Sequence, residues 1–286
     1  DSKNESLLSN IFEKYSVNIV FHAAAYKHVP LVENNPIQGL SNNLLSTISI
    51  CKSALRKKVE KVILISSDKA VRPTNVMGAS KRLSELILQS FTKNIYKKII
   101  DKNDIKTIFS MVRFGNVLNS SGSVVPLFRS QIEKGGPITI TDKNVIRYFM
   151  TIPEAAQLVI QSCAISNNGD ILLLDMGKPM KIKDLAQKMI RLSGLTEKNK
   201  KNPYGDIEIV YTGLRSGEKI HEELLVDGKS ESTIHPLIFK ATENIIIKET
   251  FWSDLNYLLS LIDKQKENEV LDKLEEILPD WNRYYK

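Results

Sequence analysis

Short apolar runs that alternate with helix-patterned stretches constrain this chain more than any other feature. Leu7, Leu8, Ile11 and Phe12 recur at helical spacing, with Ser6 placed as a cap, and Val17–Phe21 follows as an apolar run. Residues 39–56 read as a second helix. Val62–Ile65 is then apolar, β-branched and bounded by polar residues, so it reads as a buried strand. The turn Pro73-Thr74-Asn75 caps a third helix that passes through Met77 and Lys81 to Thr92. A polar, lysine-rich connection at 93–106 leads to an alternating run at 107–113. Helix, strand, helix, strand, helix, strand is the order of a doubly wound parallel α/β sheet.

Open sheets of that kind bind ligands beyond the carboxyl ends of their strands. The run at 62–65 ends in Ser66-Ser67-Asp68-Lys69, which places a hydroxyl, a carboxylate and an ammonium on successive residues there. Met77 and Lys81 lie one helical turn apart and share a face that can look back at the strand end. A solvated strand end with Met77 as core would satisfy the same pattern. His22-Ala23-Ala24-Ala25 follows the first strand, and residues that small let a flat ring or a backbone approach closely.

One expected motif is absent. A dinucleotide-binding sheet opens with a strand, a GxGxxG turn and a helix, because the glycines let the pyrophosphate sit on the helix N-terminus. Gly115, Gly122, Gly135 and Gly136 all lie in other contexts, and the chain begins on a helix. The expectation is that the first βαβ portion precedes residue 1.

Beyond Arg113 the pattern changes. Residues 114–123 form a loop dense in Asn and Ser, suited to a diphosphate or sugar hydroxyls, although drift in an Asn- and Lys-rich chain produces such loops too. A helix at 124–134, a strand at 137–141, a helix from Thr151, a strand at 170–176, a helix at 182–193 and a strand at 208–212 follow. Arg215-Ser216-Gly217-Glu218-Lys219 opens a helix to Leu225, and 251–278 is an amphipathic helical tail.

The charge balance is 40 Lys and Arg against 33 Asp and Glu, a net of +7. A basic surplus suits an anionic ligand, nucleic acid or a membrane surface without choosing among them. The positive charges fall in short runs, Arg56-Lys57-Lys58 and Lys198-Asn199-Lys200-Lys201, which read as solvated faces and not as a nucleic-acid stripe. Cys51 and Cys163 are far apart and lack metal-ligand spacing, so they form no zinc site and fit a reducing compartment. No apolar run reaches the ~18 residues that span a bilayer.

Several motifs occur in one order: His22-Ala-Ala-Ala-Tyr-Lys27-His28-Val-Pro30, Ser67-Asp68-Lys69-Ala-Val-Arg-Pro-Thr-Asn75, Gly78-Ala-Ser-Lys81-Arg82, Arg113-Phe-Gly-Asn116-Val117, Gly122-Ser-Val-Val-Pro126 and Arg215-Ser-Gly-Glu218-Lys219. Together they resemble the nucleotide-sugar 4,6-dehydratases of the extended short-chain dehydrogenase/reductase superfamily. The likeness is to the capsule and O-antigen type acting on UDP-N-acetylglucosamine, and it runs from Asp1 to Leu225. It implies a Rossmann-like sheet lacking its first βαβ portion, with a smaller α/β substrate-binding subdomain. The implied division is an incomplete NAD(P)-binding domain at 1–118, rejoined by 150–176. Residues 119–286 would form mainly the substrate-binding part and a helical tail.

The resemblance also implies roles. NAD or NADP would be the cofactor, with Asp1 and Ser2 at the end of a strand contacting the adenine. Ala24, Lys27, Asn43, Ser66, Lys81 and Val117 would line the rest of it. A UDP-sugar would meet Lys27, Asn116, Asn119, Ser120, Ser121, Gly122, Ser123, Thr139, Thr141, Arg147, Arg215 and Glu218, with Arg215 suited to the diphosphate and Glu218 to a ribose hydroxyl. Lys69 would be the base at C5, Asp68 the acid at C6 and Ser67 the partner of the C4 oxygen, while Lys81 would hold the nicotinamide ribose. Met77 stands where the superfamily carries a catalytic Tyr, and a thioether cannot pass a proton. Large membrane-anchored members share that Met, which implies a parent protein in the inner membrane with this domain on the cytoplasmic side. A homo-oligomer is compatible with the likeness. Asn119 and Ser121 depart from the usual Gly and Arg, leaving Arg129, Arg147 and Arg215 for the diphosphate.

Three other readings stay open. An epimerase or reductase of the same superfamily would want Tyr at position 77 and would not need Asp68-Lys69. A fragment that only binds UDP-sugar would fit the missing glycine turn. A nucleic-acid binder has only the net charge in its favour.

Overall fold

The structure, a computed structural model, describes residues 1–92, 106–225, 229–243, 245–281 and 283. The expected connection at 93–106 therefore lies, except for Lys106, outside the described residues.

In chain order the elements begin with α1 (Glu5–Lys14), β1 (Ile19–His22), α2 (Val29–Glu33), α3 (Pro36–Lys57), β2 (Lys61–Ile65), α4 (Val76–Thr92), β3 (Ile108–Arg113) and β4 (Asn116–Val117). Then come α5 (Val124–Glu133), β5 (Ile138–Ile140), β6 (Ile146–Arg147), β7 (Phe149–Met150), α6 (Ile152–Ile165), β8 (Ile171–Leu174), β9 (Met180–Lys181) and α7 (Ile182–Leu192). The last are β10 (Glu197–Lys198), β11 (Ile207–Tyr211), β12 (Ser230–Ser232), β13 (Ile238–Ala241), α8 (Phe251–Asp263) and α9 (Glu267–Ile277). The cap of α1 is Asn4, whose side chain accepts from the Leu7 N–H at 2.9 Å, and not Ser6, which already lies inside the helix.

The chain divides into two compact units. The first comprises Asp1–Phe114, Leu158–Asp175 and Glu223–Lys286. Its sheet has the order β1-β2-β3-β8-β13-β12, parallel through β8 and antiparallel beyond it. Val62, Ile63 and Leu64 are buried, as a strand covered on both faces requires. The α4 helix is buried along its whole length, including Leu83, Ile87, Leu88 and Phe91.

The expected assignment of 223–286 to the substrate-binding part is corrected here. β13 pairs with β8, and Phe251, Trp252, Leu255 and Leu258 join the same core as α3 and α4. Trp252 packs edge-on against Phe91, ring centroids 5.6 Å apart. The expected helical tail forms as two helices, with the chain turning between them at Gln265, where φ is +55°.

The second unit is Gly115–Gln157 with Met176–Glu222. β5 and β10 flank β11, all parallel, over a core of Phe128, Ile132, Ile138, Ile182, Ala186 and Ile190. The expected helix at 215–225 does not form. Gly217 takes φ +67°, which ends any helical run, and the Ile146 N–H donates to the Ile220 carbonyl at 3.1 Å, which pulls the segment against β6.

Candidate active site

The strand end at β2 stays bonded to its neighbour after the sheet register stops. The Ser66 N–H donates to the Val112 carbonyl at 2.8 Å and the Asp68 N–H to the Phe114 carbonyl at 3.1 Å. Ser67 then caps a single 3₁₀ turn, Asp68–Ala70, by accepting from the Lys69 N–H at 3.3 Å. The same hydroxyl donates to Asp68 Oδ1 at 2.7 Å, and Lys69 Nζ reaches that oxygen at 3.0 Å. Asp68 is 2% exposed and the Lys69 side chain 19%. A hydroxyl, a carboxylate and an ammonium thus meet at one shielded oxygen atom. Charge-assisted bonds in such surroundings are short and directional, and a proton passes between these groups without any side chain moving far.

The α4 helix sets the height of this turn. Asn75 caps it, its Oδ1 accepting from the Gly78 N–H at 2.8 Å. A Cβ at Gly78 would stand 2.3 Å from the Lys69 carbonyl oxygen, so only glycine lets the helix lie this close. Helix propensity alone favours Ala over Gly by about 1 kcal/mol. We expect the opposite here: Gly78→Ala lowers unfolding free energy by about 1–3 kcal/mol in denaturant melts, since the backbone of Lys69 must shift. A stabilised variant would show that the helix and the turn are not in contact.

Met77 is 3% exposed and belongs to the core. Lys81 is 8% exposed and donates from Nζ to the Ile65 carbonyl at 2.9 Å. Burial pulls its pKa down to about 8, against the opposing pull of Glu85 one turn along the helix. His22, at the end of β1, sits against Thr47 Oγ1 at 3.0 Å. Burial and the Lys81 charge hold its pKa down to about 3, so the ring is neutral.

Ala23, Ala24, Tyr26 and Lys27 are exposed after β1, as a surface for a flat ring requires. Two expected cofactor residues have other work. Asn43, 1% exposed, accepts from the Tyr26 N–H at 2.7 Å and donates to the Tyr26 carbonyl at 3.1 Å and to Ser80 Oγ at 2.8 Å. It ties the loop after β1 to α4 and has no donor left over. Ser66 is buried, and its hydroxyl donates to Glu85 Oε1 at 2.6 Å. Asp1 opens a turn before α1, its carbonyl accepting from the Asn4 N–H at 3.1 Å. Val117 lies in the second unit, paired with Met150.

The expected substrate residues all fall in the second unit, Lys27 excepted. Asn116 pairs with Phe149, and Asn119, at φ +60°, turns the chain into Ser120, Ser121, Gly122 and Ser123. The buried Ser123 hydroxyl, just before α5, has no hydrogen-bond partner among the described residues. Thr141 Oγ1 donates to Glu218 Oε1 at 2.9 Å, and Glu218 Oε2 accepts from the Arg215 N–H at 3.1 Å. The Arg215 side chain is exposed. Two members are better described as scaffold. Thr139 is held at both its N–H and its hydroxyl by Gln131, at 3.1 and 2.7 Å. Arg147, 7% exposed, donates to the carbonyls of Ile146, Lys219 and Ile220 at 2.8, 2.8 and 3.0 Å, so its guanidinium holds the 215–222 stretch in place.

One group was missed. Glu85 is 0% exposed, yet its carboxylate accepts from Ser66, from Arg113 Nε and Nη2 at 2.7 and 2.8 Å, and from Arg82 Nη1 at 3.0 Å. Arg113 Nη1 and Nη2 also reach Glu243 at 2.5 and 3.0 Å. Burial pushes the Glu85 carboxyl up, but Arg113 and then Arg82 outweigh it and bring the pKa to about 2. The available signal was a Glu inside an otherwise apolar helical stretch and an Arg ending a buried strand, since buried charges require partners.

Residues 1–243 match the family described as polysaccharide biosynthesis protein. The capsular polysaccharide biosynthesis protein CapD of Staphylococcus aureus is 47% identical over 236 residues, which are 82% of this chain and 36% of CapD. The UDP-glucose 4-epimerase of Rickettsia rickettsii is 37% identical over 74% of this chain and 57% of its own length. The chain therefore spans only 36% and 57% of the length of these two curated relatives. Among solved structures, Pen from Bacillus thuringiensis superposes with a TM-score of 0.73 at 32% identity, covering 87% of this chain and 72% of Pen.

Proposed function

The chain belongs to the polysaccharide biosynthesis protein family, and on that premise we propose that it catalyses 4,6-dehydration of a UDP-N-acetylhexosamine, with UDP-N-acetylglucosamine as the first candidate, using NAD or NADP. The observation that carries the reading is the meeting of Ser67, Asp68 and Lys69 at Asp68 Oδ1. Epimerisation at C4 asks for one proton carrier at the C4 oxygen. Dehydration asks for two more transfers, off C5 and onto the C6 oxygen, so it needs an acid and a base side by side. The runner-up is an epimerase, which the Rickettsia relative favours by name. Met77 in the core, where an epimerase would want a Tyr, weighs against it.

The donor set suits a nicotinamide nucleotide. Ala23 and Ala24 are small and exposed, and the Lys81 ammonium has three donors, with Ile65 taking one. A bound nicotinamide would supply reversible hydride acceptance between C4 and C6 of the sugar, with no net redox. Ser67 holds the C4 oxygen and passes its proton to Asp68. Lys69, once its ammonium has given a proton to solvent, takes the C5 proton that the C4 ketone acidifies, and it returns a proton to C5 when hydride adds at C6. Asp68, protonated in that step, gives its proton to the C6 hydroxyl, which leaves as water. In the second unit, Arg215 is assigned to the diphosphate and Glu218 to a ribose hydroxyl. The parent protein is proposed to be membrane-anchored with this domain facing the cytoplasm, in line with Met77.

Proton NMR in D₂O of UDP-N-acetylglucosamine with the full-length protein and NAD⁺ tests the reading. A new C6 methyl signal with deuterium at C5 is expected. A changed C4 configuration with the C6 hydroxymethyl intact would instead make the protein an epimerase.

Lys81 adds a pH prediction. Its ammonium loses a proton near pH 8, with Glu85 on α4 and His22 from β1 as the charged and titratable groups that act on it. Nucleotide held through that ammonium weakens as the pH rises through about 8, read as NAD dissociation by calorimetry. Lys81→Met binds weakly at every pH and flattens the profile. A wild-type affinity constant from pH 7 to 9 would remove Lys81 from cofactor binding.

A further inference from the structure

The buried charges around Glu85 do more than fill the core beneath the site. In an extended chain, successive side chains point to opposite faces. Ser66 points to α4, where its hydroxyl meets Glu85, so Ser67 points the other way, to Asp68. Lys81 and Glu85 lie one turn apart on α4 and grip consecutive residues, Lys81 through the Ile65 carbonyl and Glu85 through Ser66 Oγ. Glu85 is itself immobile, since Arg113 takes both its oxygens in a fork and Arg82 binds the second. Arg113 also ends β3, between the carbonyls of Val112 and Phe114 that hold the N–H groups of Ser66 and Asp68.

We infer that Glu85 is a positioning residue of this site: clamped by Arg113 and Arg82, it fixes Ser66 and through Ser66 the direction in which Ser67 and Asp68 face. The inference rests on the proposed dehydratase reading for its kinetic arm and on geometry alone for its structural arm. The Glu243 side chain, 5% exposed, extends the clamp to the segment after β13 through its bonds to Arg113.

The test uses the full-length protein with Ser66→Ala, Glu85→Gln and the double variant. Ser66→Ala removes only the link, because Glu85 keeps both arginines. Loss of register at the reacting groups costs up to roughly 10²-fold in rate, so kcat should fall about ten- to a hundredfold with KM for the UDP-sugar within about twofold. The double variant should fall no further than Glu85→Gln alone, because both changes break one path. Amide hydrogen exchange supplies the second readout: in Ser66→Ala, peptides covering 62–75 should exchange about tenfold faster, with peptides covering 108–113 unchanged. Wild-type kcat and exchange in Ser66→Ala, or effects that multiply in the double variant, would overturn the inference. If Glu85→Gln does not fold, Ser66→Ala carries the test. A wild-type protein inactive on every UDP-sugar sinks the dehydratase reading, and the exchange measurement still decides the role of Glu85.

Discussion

Lys69→Ala lowers turnover of the UDP-sugar by roughly 10²–10⁴-fold, the range for a single general acid–base group, and leaves UDP affinity within about twofold. The expectation follows from where Lys69 Nζ stands, 3.0 Å from Asp68 Oδ1. Removing the amine leaves the sugar with an acid and no base at C5. Incorporation of deuterium at C5 should fall in proportion to turnover, which separates this loss from a defect in hydride transfer. Lys69→Arg is the informative companion. It keeps a cation beside Asp68 but cannot act as a base near neutral pH, so it should be as inactive as Ala while melting closer to wild type. Turnover above about a tenth of wild type in either variant would end the assignment of Lys69 as base.

Arg113→Met destabilises the fold by about 3–5 kcal/mol, measured by denaturant unfolding, because it strands a buried carboxylate. Glu85 is 0% exposed and loses two of its four bonds: those from Arg113 vanish, and those from Ser66 and Arg82 remain. Glu243 loses its two bonds from Arg113 at the same time. Against a typical total of roughly 5–15 kcal/mol, such a loss leaves little margin. Replacing the set together, Arg113→Met with Glu85→Leu and Glu243→Leu, should recover most of it, since no charge is then buried alone. Arg82 retains an exposed edge through which water reaches it.

Acid unfolding gives the sign independently. The Glu85 carboxyl is lowered from 4.5 to about 2, so the stabilisation it carries is complete above pH 4.5 and is lost as the pH falls toward about 2. Arg113→Met removes the main cause of that lowering and moves acid unfolding to higher pH. An unchanged acid transition together with wild-type stability would mean that Arg113 and Glu85 are not paired in solution.

The division between what could be read along the chain and what could not follows the range of the forces involved. Val62–Ile65, the cap at Asn75 and the helix through Met77 and Lys81 were legible because period, capping and burial are local. So was the placement of Ser67, Asp68 and Lys69 at a strand end, since sheet chemistry collects there. The expected helix at 215–225 failed because Gly217 and a bond from Ile146 outweighed a helix-like pattern. Asn43 and Ser66 were legible as polar residues near the site, but not as ties that use up their own donors, because their partners lie 37 and 19 residues away in the chain.

By itself, then, the sequence determined the alternation of strands and helices and the placement of Ser67, Asp68 and Lys69 just beyond the end of β2. These depend on spacings of a few residues. Only the tertiary structure decided that Arg113 is bound by Glu85 and Glu243, 28 and 130 residues from it in the chain. It alone decided that the C-terminal helices complete the first core and that the turn at Lys69 lies against Gly78. The physical reason is that a buried charge or a close backbone approach is tolerable only when a specific partner arrives from elsewhere in the chain, and no local pattern encodes which partner that is.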